Sequence, residues 1–553
     1  MKPLSCDVLV VGSGAGGATA AMVLARRGAR VLVVEKGPYH TLADFERDEL
    51  RICRRDFFVP FVSDEPNLLR SSPDGAFGRS NEGWTACCVG GGTVHMSGYF
   101  YRLHELDFRA RSELGDVDGA EVWDWPFGYA DLAPYYDRVE ALLGVTGQAG
   151  DNPFDAPRQM PYPLPPLRDH PAAGTLDDTL RSLGWHPFHT PRAVLSQSYD
   201  GRPRCTYSGL CGSYGCETGA KSSALSAVLP KAVATGRCRV LSGHLVNEIL
   251  CADDGKVTGA VLRDRDGSEK RIEARAVCLA AGAIQSARLL LNSRSARFPR
   301  GLANSNDRVG RHLFFSTFAH VEAEFLREGG GQRLAEFDDP LPWLGRSVQD
   351  HYLLDGQGGR RKGGTLRFDF VHPNPIYNAE HVAVRHGQVI WGQALKQALR
   401  RRFQQGKTLE VEIFGEFLPT PDTRVEVDDK VRDRFGAPVA RVTVVQHPRN
   451  LEIAGELAGH ARQAFEALGA DSIDVVVPSG VTYVLQGGTC VAGTDPALSV
   501  LDAGCRSHEV DNLYVVDGSF MPSSGGVPIT LTIHANAWRV AEQLAARLAR
   551  REL

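Results

Sequence analysis

The first apolar run of the chain, Cys6–Val11 (CDVLVV), is short and β-branched and stops at Gly12-Ser-Gly14-Ala-Gly16-Gly17. Its length and its glycine stop predict a buried strand, and the small residues along Ala18–Arg27 predict a helix packed closely on it. A second apolar run, Ala29–Val34, ends in Glu35. Later, apolar and polar residues alternate with a period of two in Thr365–Val371, Leu409–Phe417 and Val439–Val445, the mark of antiparallel strands with one face buried. Asn450–Leu468 switches to helical spacing. Residues 152–171 (NPFDAPRQMPYPLPPLRDHP) carry too many prolines for a helix or a central strand and predict an extended surface connector. The chain has no internal repeat and no low-complexity segment.

Strand, glycine turn, helix and a second strand closed by an acid form one chemical unit. Gly12 permits the tight turn, Gly14 lets the backbone approach a pyrophosphate, Gly17 lets helix and strand pack, and the helix N-terminus faces the phosphates. Glu35 stands where it can accept both ribose hydroxyls, and its charge disfavours the 2′-phosphate of NADP. The unit alone does not separate NAD from FAD.

Composition narrows the partners more than the fold. At 553 residues, 43% hydrophobic and 23% charged, the chain is globular and long enough for two or more lobes. With 62 basic against 66 acidic residues and a net charge of −4, no global field draws it to nucleic acid or to an anionic membrane. No apolar signal region precedes Asp7, and no run approaches the ~20 apolar residues of a membrane span. The expectation is a cytoplasmic protein without a membrane anchor.

Further segments carry a family resemblance. Val89-Gly-Gly-Gly-Thr-Val-His-Met-Ser-Gly98 resembles the second glycine-rich signature of the glucose-methanol-choline (GMC) flavin oxidoreductases, as do Asp511–Ser519 (DNLYVVDGS) and Ser523–Ile533 (SSGGVPITLTI). Ala276–Leu291 (AVCLAAGAIQSARLLL) resembles the strand, turn and helix that return to the family's flavin domain. The likeness runs in order through nearly the whole chain. It implies FAD and an α/β fold: a Rossmann-like FAD-binding domain assembled from residues 1–45, 80–105, 217–300 and 495–553, and a substrate domain of antiparallel sheet and helices from 46–79, 106–216 and 301–494. The three alternating runs then belong to the sheet that roofs the active site. Gly90, Gly91 and Gly92 would lie against the pyrophosphate and the flavin edge, where a Cβ would collide. Asp517 and Gly518 match the family's ribityl and pyrophosphate contacts, and the helix beginning near Ile529 would aim its positive end at the flavin O2 region. His95 stands where some relatives link the flavin covalently and others carry an unlinked His.

Most of the 12 cysteines are scattered singly, as expected of small buried thiols. Cys205, Cys211 and Cys216 instead share a glycine-rich loop (RPRCTYSGLCGSYGCETGAKSS). It resembles the loop of the FAD-dependent sugar and polyol dehydrogenases, the gluconate and glucose dehydrogenase-like branch, where three cysteines hold a 3Fe–4S cluster. Cluster-free relatives carry a similar segment, so a metal-free turn stays open. Zinc would need a fourth ligand, for which His244 is a weak candidate. A cluster would imply an electron-acceptor protein. Relatives with the trio often work with a small exported accessory subunit, which leaves periplasmic co-export open.

Two expected residues are missing. The family's catalytic His belongs to an H-x-x-G-T segment, matched here by Leu485-Gln486-Gly487-Gly488-Thr489, and its Asn or His partner is matched by Pro528. Neither Leu485 nor Pro528 can be the general base, a contribution of typically ~10²–10⁴-fold. Three readings follow for a small organic substrate. The flavin takes hydride from an activated C–H, C–N or C–C bond of an apolar substrate in a dry site. Alternatively, the protein is an ordinary alcohol or sugar dehydrogenase with a relocated base, the candidates being Gln486 and His534, the latter better suited to helix packing. Or it is a non-catalytic electron-transfer subunit, against which the intact Glu35, His95, Asp517 and glycines speak.

Overall fold

The computed structural model describes residues 4–53, 57–84, 86–326, 336–356, 359–371, 374–385 and 388–553. The first apolar run forms β1 (Leu4–Val11), the small-residue stretch forms α1 (Ala15–Arg26), and the second apolar run forms β2 (Val31–Glu35). Then follow β3 (Cys238–Ser242), β4 (Leu245–Cys251), β5 (Val257–Arg263), β6 (Glu269–Leu279) and α2 (Ala283–Asn292). The next stretch supplies β7 (Thr317–Leu326), β8 (Gly364–Phe370), β9 (Gly406–Gly415), α3 (Pro448–Leu468) and β10 (Ser472–Val476). The chain returns through β11 (Leu513–Val515) and ends on α4 (Thr530–Ala549).

The first sheet has the order β3-β2-β1-β6-β5-β4, with β11 also paired to β6. β1, β2, β3, β6 and β11 run parallel, while β4 and β5 form an antiparallel extension. The central parallel strands are apolar where they are buried, over Val8–Val11 of β1, Val31–Val34 of β2 and Ala276–Leu279 of β6, because α1 and its neighbours cover them there. Their carboxyl ends therefore share one edge, where ligands of such sheets bind.

The second sheet has the order β10-β7-β9-β8, continued by the short strands Arg346–Val348 and Phe188–His189, and every pair in it is antiparallel. β7 alternates strictly. Ala319, Val321, Ala323 and Phe325 are buried in one core with Leu457, Ala461 and Phe465 of α3, whereas Phe318, His320 and Glu322 take the other face. Each buried Val, Leu or Phe contributes about 1.5–3 kcal/mol. A slip of one residue would bury the charges, so the register is fixed.

β8 and β9 coincide with two of the alternating runs expected in the roof. The third, Val439–Val445, is a strand (Pro438–Thr443), but it lies in a separate four-stranded sheet with Arg424–Arg432, Asn67–Arg70 and Gly78–Ser80. Alternation identifies a half-buried strand; it does not say which sheet the strand joins. Residues 152–171 hold only an isolated bridge at Leu164. Among the described residues no helix is long and apolar enough to cross a membrane.

Candidate active site

The carboxyl edge of the parallel strands opens into a cavity of about 1000 Å³ that extends to the polar face of the roof sheet. Gly12 turns the chain at φ +95°, and a Cβ there would come 2.3 Å from the Ala280 carbonyl oxygen. A Cβ on Gly91, at φ +55°, would lie 2.9 Å from the Cα of Gly14. The two turns thus meet with no room for side chains. Gly14, Gly92 and Gly518 line the same cavity; Gly17 and Gly90 stand behind the wall, against the Gly12 carbonyl and Leu225. The first turns of α1 and α4 reach the cavity at Ala15 and Thr530, so two positive helix ends serve it.

Three acidic or basic side chains complete this cradle. Glu35 is buried at the end of β2, where it accepts from Ser13 N at 3.2 Å, Ser13 Oγ at 2.7 Å and Gly37 N at 2.9 Å. Asp517, also buried, accepts from Gly282 N at 3.0 Å, Ser286 Oγ at 2.5 Å and Ser519 N at 2.9 Å, which ties the start of α2 to the end of β11. Burial raises both carboxyls above their ordinary range. His95 lines the cavity with its ring 5.3 Å from Phe58, and its carbonyl accepts from Ser213 N at 2.8 Å. Glycine backbone, two helix ends and a buried acid able to accept from hydroxyls are what a flavin dinucleotide needs, and these residues fit it.

Leu485 and Pro528 both face the cavity. Leu485 sits in the left-handed region at φ +57°. Gln486 lines the cavity too, but its amide is committed: Oε1 accepts from Ile284 N at 3.0 Å and Nε2 donates to Gly83 O at 2.9 Å. It braces the segment and has no basic lone pair to offer. His534 corrects the expectation more firmly. It is fully buried, bonded through Nδ1 to Thr19 Oγ1 at 2.7 Å between α4 and α1, and is absent from the cavity wall. Desolvation depresses its pKa to about 3, so it is a neutral packing residue. His508 is half-buried and bonds Ser499 Oγ at 3.0 Å.

The sequence reading missed the upper wall. His320 and Glu322 of β7 and Glu410 and Glu412 of β9 line the cavity and make its wall polar there. His320 Nε2 lies 3.1 Å from Glu410 Oε2 and its Nδ1 4.0 Å from Glu322. Burial opposes the charged imidazole, but the bond and charge of Glu410 outweigh it and raise the His320 pKa. Arg367 holds Glu412 at 2.7 Å and Glu410 at 3.5 Å, and Arg402 holds Glu322 at 2.8 Å. The signal was present: β9 was identified from its alternation, in which Glu410 and Glu412 alternate with Leu409, Val411 and Ile413.

Cys205, Cys211 and Cys216 line one small cavity of about 40 Å³. Cys205 Sγ accepts from Tyr207 N at 3.3 Å and Cys216 Sγ from Lys221 N at 3.4 Å. Although burial works against it, hydrogen bonding from Thr218 and Lys221 lowers the Cys216 pKa, whereas burial pushes Cys205 up to about 11. His244 is no fourth ligand: its Nδ1 meets Ser242 O at 2.7 Å and its Nε2 Asp264 at 2.9 Å, beside the Glu35 end of the large cavity. Buried Lys221 donates to Met96 O, Cys211 O and Tyr214 O at 2.6–2.9 Å, joining the cysteine loop to the cradle.

Residues 170–352 and 419–537 match two family models described as GMC oxidoreductase, and residues 7–43 match an FAD binding domain. The chain is 34% identical to 6'''-hydroxyparomomycin C oxidase of Streptomyces lividus over 98% of its own length and 92% of the relative's. It is 32% identical to paromamine 6'-oxidase of Streptomyces fradiae, with 99% and 92% covered. The crystal structure of pyridoxine 4-oxidase from Mesorbium loti superposes with a TM-score of 0.59 at 18% identity, covering 97% of this chain and 99% of that one, a likeness of fold.

Proposed function

That the chain belongs to the GMC oxidoreductase family and is an FAD-dependent enzyme of the sugar and alcohol type is the premise from which we propose its reaction: oxidation of a hydroxyl-bearing carbon in a small, polar, multi-hydroxyl substrate. FAD supplies the hydride acceptor. Glu35 would hold its ribose, the glycine turns its pyrophosphate, and the α4 N-terminus would favour negative charge on the reduced ring. The observation that carries the reading is the upper wall of His320, Glu322, Glu410 and Glu412, which suits hydroxyls and disfavours the apolar substrate of the competing reading. Relatives that oxidise paromamine and 6'''-hydroxyparomomycin C support it. Leu485 and Pro528 leave this site without the usual base, so hydroxyl ionisation limits the rate.

The cysteine trio is assigned in the same reading to an iron–sulfur cluster that passes electrons to an acceptor protein, supported by three thiols around one cavity and by backbone N–H groups aimed at two of them. Anaerobic mixing of the purified yellow protein with alcohols, amines and activated C–H compounds tests the reaction. Bleaching by multi-hydroxyl alcohols is expected; bleaching confined to apolar compounds refutes it. Iron and acid-labile sulfide assays with electron paramagnetic resonance test the cluster, and their absence from protein purified anaerobically removes it.

A further inference from the structure

The carboxylates of the roof lie well along β7 from the Leu485 segment, where the proposed reading puts the reacting hydroxyl. Ser316 N donates to Val484 O at 3.2 Å, beside Leu485, and fixes where β7 starts relative to that segment. His320 and Glu322 lie four and six residues farther along the strand, roughly 13 to 20 Å at ~3.3 Å per residue. Groups at that distance do not take part in the chemistry. They can recognise the far end of an elongated substrate.

Three carboxylates there meet three cationic side chains, His320, Arg367 and Arg402, and the acids are the ones that crowd the cavity wall. Glu322, Glu410 and Glu412 face the cavity, while Arg367 and Arg402 reach their carboxylates without lining it. His381, on the helix Pro375–Ala383, faces the same space, and Asp474 of β10 pairs across from Glu322 on the outer side of β7. Two buried polar atoms wait for a partner. Tyr99, 7% exposed, lines the cavity, and among the described residues its Oη has no hydrogen bond; nor has Glu410 Oε1, whose contact there is the 3.5 Å ion pair with Arg367. The Arg367 guanidinium lies 4.3 Å over the Tyr99 ring, which places Tyr99 beside the same carboxylates.

We propose that Glu322, Glu410 and Tyr99 form a subsite for a protonated amine, so that the substrate is an elongated amino polyol with its reacting hydroxyl at the flavin end and its ammonium group at the roof. This rests on the hydroxyl-oxidation reading above. A carboxylate–ammonium hydrogen bond out of bulk water is worth a factor of about 10 to 100 in binding.

The test is calorimetric titration of the FAD-loaded protein, held reduced and anaerobic so that nothing turns over, with paromamine and with N-acetylated paromamine, which keeps the hydroxyls and loses the charge. The wild type should bind paromamine about 10- to 100-fold more tightly, and Glu322→Gln and Glu410→Gln should abolish that preference while retaining bound FAD. Glu322→Asp should keep part of it. Equal binding of the two forms, or a preference that survives both glutamine substitutions, overturns the subsite. Preference without bleaching of the oxidised protein by paromamine keeps the subsite and drops the hydroxyl reading, and bleaching without preference does the reverse.

Discussion

At the scale of single residues the proposed reaction turns on Leu485, which lines the cavity in a strained position. Leu485 occupies left-handed backbone that a branched apolar residue adopts at a cost and that His tolerates better. Leu485→His should therefore fold and place an imidazole at the cavity wall, where the proposed reading puts the missing base. Anaerobic bleaching by the best alcohol should then accelerate, by up to the ~10² low end of general-base catalysis. The wild-type rate should climb with pH as the hydroxyl ionises, whereas the variant should level off above the imidazole pKa; indistinguishable profiles would show that position 485 is too far from the hydroxyl. His534 gives a second prediction. Its pKa is depressed to about 3 in the fold, so the unfolded chain takes up the proton first on acidification. Its contribution to stability is complete above the unfolded value near 6.5 and is lost as pH falls toward 3. His534→Gln, which can still meet Thr19, should flatten the decline of Tm between pH 6.5 and 4.5 relative to the wild type.

At the scale of elements, the cradle was legible because its parts are local: a strand, a glycine turn and a helix are neighbours in the chain, and the spacing from Gly12 to Glu35 is set by one helix. The roof was legible only by halves. Alternation in Leu409–Phe417 reported a strand, but its polar residues look like any solvent-facing row until β7 places His320 and Glu322 beside them across 90 residues of chain. The same long-range choice sent Pro438–Thr443 to another sheet. The apolar face of β7 depends on α3, where Leu457 is fully buried. Leu457→Ala should cost about 2–5 kcal/mol in urea unfolding. It should also loosen paromamine binding more than FAD retention, since the cradle belongs to the other sheet.

At the scale of the whole molecule, the roof and the turn before α4 are fastened by a buried ion network. Lys362 Nζ, fully buried, lies 2.8 Å from Asp107 Oδ1, 3.3 Å from Glu416 Oε1 and 2.7 Å from the carbonyl of Ser524, four residues ahead of Pro528. Tyr352 extends it, donating to Asp107 Oδ2 at 2.7 Å and accepting from Gly526 N at 3.0 Å. Burial already raises the Glu416 carboxyl above its ordinary range with the lysine in place, and the paired acids raise Lys362 against its own burial. Lys362→Met would leave two carboxylates in the interior without a counter-charge, a loss of about 3–5 kcal/mol. A carboxylate whose folded pKa is raised favours the folded state as pH falls, so the deficit should be smaller at pH 5 than at pH 8. Adding Asp107→Asn should recover part of it at pH 8. Unfolding followed by FAD fluorescence at both pH values decides the matter: a deficit independent of pH would mean that Lys362 serves by packing alone, and that the roof is not held over the flavin by charge.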